Sequence, residues 1–213
     1  AGAAVLAVAG LGYAGIQKKK AAEAASAKAT TEADDSNTVT WQGKTYKYNQ
    51  NLSNYLLLGV DKRTPAETRV GKADAGQADA LFLLSLNRKT KEMTMISIPR
   101  DTMTDVESFD LEGKSLGKSK DHISLSYGYG DGGAESCKLT QEAVSNLFYG
   151  LPIQGYLAMN LDGIPELAKS VGGLTVTVPN NSLEYKYPEF SEGAEVTLTE
   201  ENTETFVRSR DVD

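Results

Sequence analysis

Apolar runs of strand length, bounded by glycine or polar residues, recur through the middle of this chain at Tyr55–Val60, Ala80–Leu86 and Met93–Ile98. The last two are separated by the polar turn Asn87–Lys91, and together the three predict a central sheet. Before them, Thr38–Trp41 and Lys44–Tyr48 alternate about Gln42-Gly43 and predict a short hairpin, with Trp41 as a packing anchor. Helical spacing at Leu139, Ala143, Val144, Leu147 and Phe148 predicts a helix over Gly133–Tyr149, stopped by Gly150 and followed by Pro152. Tyr156–Met159 reads as a strand, Gly163–Val171 as a helix capped by Asp162 and stopped by Gly172-Gly173, and Leu174–Val178 as a strand ended by Pro179. Asn180–Gly193 is irregular, and its Tyr185, Tyr187, Pro188 and Phe190 fit either a sugar- or lipid-facing surface or a loop folded back on the core. Leu198–Glu201 is expected to open a last helix with Thr199 as N-cap, carrying Phe206, Val207, Arg208 and Arg210. Alternating strands and helices indicate an α/β fold.

The N-terminal end has a different pattern. Ala1–Ile16 is apolar and uncharged but shorter than the roughly 20 residues that cross a bilayer. The chain opens without Met, and we read residues 1–17 as a truncated transmembrane anchor in preference to a signal peptide. Lys18–Lys20 leave its orientation open on charge alone. Residues 18–37, rich in Ala, Ser, Thr, Glu and Asp, read as a stalk, and residues 38–213 as the folded domain.

Composition narrows the chemistry. At 213 residues, 40% hydrophobic and 24% charged, the chain can hold one sizeable core. A formal net charge of −7 argues against nucleic acid as a partner, because phosphate backbones demand a basic footprint. Cys137 is the only cysteine and His122 the only histidine, so a cysteine-histidine zinc cage and an intrachain disulfide are both excluded. Any metal would be held by oxygen, and Cys137, on an apolar helix face, reads as a packing residue.

Charged residues cluster where strands must stop. Ile96–Thr102 (ISIPRDT) sets Arg100 and Asp101 at the mouth of a strand, Asn54–Arg63 (NYLLLGVDKR) runs into Asp61 and Arg63, and Val207–Arg210 (VRSR) adds two arginines. In open α/β sheets ligands gather beyond the carboxyl ends of strands. Asp61 and Asp79 could supply two carboxylates to one Mg²⁺, a hard cation that keeps waters and substrate phosphates, although a strand-edge Asp capping a turn is an equal reading for Asp79. Arg100, Arg208 and Arg210 offer planar forks to phosphate oxygens; a simple Arg100–Asp101 ion pair is the plain alternative. Acid and guanidinium from separate segments point to a pyrophosphate or phosphodiester site. Gly128–Gly133 lacks the Lys-Ser/Thr of a P-loop and reads as a tight turn and helix start.

NYLLLGVDKR, the acid at Asp79, ISIPRDT, SYGYGDGG before a helix, LPIQGYLAMNLDGI, VGGLTVTVP and FVRSR resemble, in order and spacing, the LytR-CpsA-Psr family over Asn54–Asp213. The resemblance implies a central mixed β-sheet flanked by helices in α/β/α layers. It implies membrane-anchored enzymes on the extracytoplasmic face of Gram-positive cells. These move teichoic acid, capsule or another wall glycopolymer from an undecaprenyl-pyrophosphate carrier to peptidoglycan, with Mg²⁺ (or Mn²⁺) as cofactor and a phosphodiester as product. Residue by residue, Asp61 and Asp79 match the metal-holding acids, and Arg63, Arg100, Arg208 and Arg210 match phosphate-binding arginines. Arg100 and Asp101 form the expected catalytic pair, Asp101 orienting Arg100. Gln77 stands where the family often has Arg, which puts one arginine–phosphate contact in doubt; His122 stands where Lys is common, and His122 and nearby Lys120 are expected to bind phosphate. The family pattern continues beyond FVRSR, so part of the site is expected to be missing from this chain. A metal-dependent polyprenyl-pyrophosphate pyrophosphatase and a non-catalytic module that binds lipid-linked polymer remain as alternatives. An apolar carrier would need a groove, for which Leu57, Leu83, Ile96 and Leu147 are candidates, core packing being the simpler reading of each.

Overall fold

A computed structural model describes residues 37–63 and 68–209. The expected anchor over residues 1–17, the stalk up to residue 36, and Arg210 lie outside the described residues. The chain divides into two compact units, residues 1–49 and 50–213. In the first, β1 (Thr38–Trp41) and β2 (Lys44–Lys47) pair as the expected antiparallel hairpin. Gln42 and Gly43 both adopt positive φ at its turn, as tight hairpins demand. Trp41, expected as a packing anchor, is instead 47% exposed, because neither strand carries a buried residue.

The second unit is organised by β3 (Leu52–Val60), in which alternate residues Asn54, Leu56, Leu58 and Val60 are buried. β3 pairs antiparallel with β4 (Ala78–Asn87), β4 antiparallel with β5 (Met93–Ile98), and β3 parallel with β8 (Gly155–Met159). The sheet order is β5-β4-β3-β8, so the sheet is mixed. Leu56, Leu58, Leu81, Leu83 and Ile98 join Cys137, Ala143 and Val144 of a helix, α2 (Ala134–Leu147), in one core. Each leucine, isoleucine or valine among them contributes about 1.5–3 kcal/mol by leaving water. Cys137 is a packing residue, and burial pushes its thiol up to about 11.

Only one face of the sheet is covered among the described residues. Tyr55, Met93, Met95 and Leu157, which point the other way, are 40%, 66%, 60% and 65% exposed. The expectation of helices flanking both faces therefore holds for one face. Leu57, Leu83, Ile96 and Leu147 do not line a common groove: Leu83 is in the core, Leu147 packs against it, Ile96 is exposed, and Leu57 lies on the opposite face from Leu56.

Strands β6 (Met103–Phe109) and β7 (Ser115–His122) form a hairpin that the sequence reading did not assign. Their mixed polar sequence hides one buried alternation, Thr104 and Val106, which faces the helical layer. A short helix α1 (Leu125–Gly128) leads into α2 through the glycine-rich turn. Asp131 there accepts the backbone N–H groups of Gly133, Glu135 and Ser136 at 2.8, 3.0 and 3.3 Å. Burial alone would raise its carboxyl, but these donors outweigh it and hold the group below its ordinary value.

Beyond β8, α3 (Gly163–Ser170) precedes an antiparallel pair, β9 (Leu174–Thr177) and β10 (Glu195–Leu198). The expected helix at Leu198–Glu201 begins later: Leu198 ends β10, and α4 runs Thr203–Arg208. Thr199 Oγ1 accepts from Glu201 N at 3.3 Å in the turn between them, while Asn202 stands at the N-cap position. The aromatic segment folds inward. Phe190 is fully buried and meets Phe206 of α4 edge-on, with centroids 5.2 Å apart, while Tyr185 remains exposed.

Two outcomes follow from this packing. Phe190→Ala should destabilise the chain by about 3–5 kcal/mol, read by denaturant unfolding, and should speed hydrogen exchange in α4 before β3. Asp131→Ala should cost about 1 kcal/mol at neutral pH through the lost helix-start bonds. Because the folded carboxyl is depressed, that difference is full above the ordinary carboxylate range and disappears as pH falls through the depressed value. Thermal melts of both proteins across pH 2–7 (about five points) test this sign.

Candidate functional site

The register of β3 against β4 builds the site. Gly59 pairs with Ala80 and Val60 with Ala78, so Asp79 is an extra residue in β4, a β-bulge. A bulge breaks strict alternation: Ala78 is buried, whereas Asp79 and Ala80 are both exposed, and both border the same cleft. A Cβ on Gly59 would stand 3.0 Å from the Ala80 Cβ, so close pairing at this point favours glycine. Asp61 follows β3 directly and borders the cleft as well. The cleft holds about 340 Å³ and mixes these acids and Arg208 with apolar Val60, Met159, Leu161, Ile164 and Val207.

Asp61 is fixed by its neighbours. Its Oδ1 accepts the Gln77 backbone N–H at 2.7 Å, and its own N–H donates to Gln77 O at 3.1 Å. Gly76 makes this approach possible: at φ +93° a Cβ there would lie 2.7 Å from Asp61 Oδ1. Gln77 therefore acts through its main chain.

Arg100 stands just past β5, whose carboxyl end lies at the same edge as those of β3 and β8. Its Nη1 donates to Asp79 Oδ1 at 2.9 Å, whereas its Nε is 3.8 Å from Asp101 Oδ1. The plain expectation of an Arg100–Asp101 pair thus gives way to Asp79 as the main partner. The hydrogen bond that Arg100 donates to Asp79, with the charges of Asp79 and Asp101, raises the Arg100 pKa. Asp101 also lies 3.3 Å from His122 Nδ1, giving a chain of contacts His122–Asp101–Arg100–Asp79.

Arg63 and Arg208 are clasped by acids that sequence reasoning missed. Arg63 reaches Glu204 at 2.7 Å and Asp162 at 3.2 Å, and Arg208 reaches Glu204 at 2.7 Å. Asp162, expected to cap α3, makes no capping hydrogen bond and turns its carboxylate to Arg63. The Arg63 and Arg208 hydrogen bonds hold the Glu204 carboxyl below its usual range. An i,i+4 spacing of Glu204 and Arg208 was legible; the 141-residue separation of Glu204 from Arg63 was not. Lys120 pairs with Asp105 at 3.1 Å on the β6–β7 hairpin and is not among the residues that border the cleft.

The donor set fits a hard divalent cation of the Mg²⁺ type. Asp61 and Asp79 each have one carboxylate oxygen engaged by a protein donor, and the second has no hydrogen-bond partner among the described residues. Mg²⁺ commonly takes one or two carboxylates and fills its shell with water and phosphate oxygens. Among the described residues no trio of His, Cys, Asp or Glu side chains gathers that could hold a metal without such help.

Comparison with known proteins gives the same direction. The chain is 32% identical over 160 residues to the polyisoprenyl-teichoic acid–peptidoglycan teichoic acid transferase TagU of Bacillus licheniformis, covering 74% of this chain and 44% of that protein. It is 31% identical to TagU of Bacillus subtilis over the same shares. The chain thus spans less than half the length of these curated relatives. The crystal structure of B. subtilis TagV superposes with a TM-score of 0.53 at 27% identity, over 76% of this chain and 57% of that one. The LytR_cpsA_psr family profile matches residues 13–213, nearly the whole chain, and the chain belongs to that family.

Proposed function

We propose that this chain is the core of a phosphotransferase that moves a wall glycopolymer from a polyprenyl-pyrophosphate carrier to peptidoglycan, on the extracytoplasmic face of the membrane. The observation that carries this reading is the single cleft bordered by Asp61, Asp79 and Arg208, with Arg100 bonded to Asp79 and apolar side chains alongside. Pyrophosphate needs positive charge and oxygen-held metal, and a prenyl tail needs apolar wall. The names of the TagU relatives, which specify a polyisoprenyl-linked teichoic acid and a peptidoglycan acceptor, fit the same chemistry.

In this reading Arg100 and Arg208 hold non-bridging phosphate oxygens, and Asp79 with Asp101 orients Arg100. A peptidoglycan hydroxyl oxygen forms a new bond to the polymer-side phosphorus. The bridging P–O bond breaks, its electron pair leaves with the polyprenyl phosphate, and the hydroxyl proton passes to solvent water. Asp61 and Asp79 would hold Mg²⁺ or Mn²⁺, which would neutralise charge building on the leaving phosphate. Arg63 lies beyond the cleft, tied to Asp162 and Glu204, and serves to hold α4 and its Arg208 in place.

Arg100→Ala should lower kcat by about 10²–10³-fold, the range for losing one charge-stabilising donor, with the unfolding midpoint nearly unchanged because the side chain is half exposed. The assay is formation of joined polymer–peptidoglycan by the protein at its natural full length. Polymer phosphate released at equal rate without acceptor would instead identify a pyrophosphatase, and donor binding without turnover a binding module. Glu204→Gln removes the shared negative charge beside Arg63 and Arg208. It should tighten binding of a short prenyl pyrophosphate by about 2- to 5-fold at low salt, and less at high salt; isothermal titration at two ionic strengths reads the difference.

A further inference from the structure

A second recess, of about 250 Å³, shares Asp61 with the cleft and is walled by Lys62, Asp74, Gly76, Gln77 and Tyr129. The side chains of Lys62, Asp74 and Gln77 and the Tyr129 hydroxyl have no hydrogen-bond or ion-pair partner among the described residues. The walls are held in place all the same. Ala75 N donates to Gly128 O, Ala78 N to Ser124 O, and the Tyr129 ring rests on Phe109 with centroids 6.1 Å apart. Space is kept by glycines: a Cβ on Gly76 would lie 2.7 Å from Asp61 Oδ1, and one on Gly128 2.9 Å from Gly76 O.

We propose that this recess is the subsite for the accepting sugar, a neutral polyhydroxyl ring of the glycan acceptor; the inference rests on the transferase reading above. Three properties choose this ligand class. Beside Asp61, the recess offers one carboxylate, Asp74, and one ammonium, Lys62, and so no surplus of positive charge for a second phosphate, whereas hydroxyl groups donate readily to carboxylate oxygens. The lining combines donors, acceptors and one aromatic ring, the mixture that grips a sugar's hydroxyls and its apolar C–H face. The volume falls below the roughly 300–1,000 Å³ of sites for drug-sized ligands and suits a single ring. Asp61 borders both spaces, so a ring seated here presents its hydroxyl toward phosphorus held in the cleft.

The test uses Asp74→Ala and Gln77→Ala in the full-length protein. Both remove side-chain groups without a protein partner, and Gln77→Ala keeps the backbone N–H that holds Asp61. Saturation-transfer NMR with a peptidoglycan tetrasaccharide reads acceptor binding directly, and transfer assays read the KM for that acceptor. Each variant should weaken tetrasaccharide binding and raise acceptor KM by about tenfold, the effect of losing one or two hydrogen bonds. Binding of a prenyl pyrophosphate should stay within about twofold of the unsubstituted protein. Tetrasaccharide binding unchanged in both variants overturns the subsite, as does a recess that takes Mn²⁺ through Asp74 and excludes the sugar. If the unsubstituted protein binds the tetrasaccharide through Asp74 but makes no joined product, the transferase reading fails and the sugar site stands.

Discussion

One irregularity in strand pairing governs the rest of the site. An ideal antiparallel ladder would send Asp79 to the face of β4 that carries Leu81 and Leu83, into the core. The extra residue opposite Val60 breaks that alternation, keeps Ala78 buried, and frees Asp79 to stand beside Asp61 at the end of β3. Burial of the leucines on either side pins the register, since a one-residue slip would expose all of them. The hydrophobic core thereby sets the position of two carboxylates that it does not contain.

Charge around the cleft is arranged in matched pairs, with a few groups left open. Asp79 is answered by Arg100, and Arg63 and Arg208 by Asp162 and Glu204. These contacts are exposed, so their worth lies in orientation more than in stability. Phe190 matters to function in the same indirect way: its contact with Phe206 seats α4, and α4 carries both Glu204 and Arg208. A packing residue of a small secondary core thus helps to determine where a guanidinium meets the cleft.

Much of this was legible in the residues. Runs such as Tyr55–Val60 and Met93–Ile98 have strand length and firm boundaries, and the placement of Asp61 and Arg100 just beyond them followed. The β6–β7 hairpin escaped notice because Ser, Lys, Glu and Asp fill its exposed positions and leave only a faint alternation. β10 escaped because Leu198-Thr199-Glu200-Glu201 carries a helix-start pattern that a strand end and turn occupy instead. Glu204 as the partner of Arg63, and Asp162 as an ion-pair residue and not a cap, depend on contacts between residues far apart in the chain. The bulge at Asp79 is likewise a property of two strands together and has no mark in either alone.

The most direct measurement is a crystal structure of the full-length protein with Mn²⁺ and a short prenyl pyrophosphate, using anomalous scattering to locate the metal. The account predicts a manganese peak between Asp61 and Asp79, with phosphate oxygens on Arg100 and Arg208. Manganese or phosphate lodged elsewhere, for example beside Lys120 and His122 with the cleft empty, would contradict it.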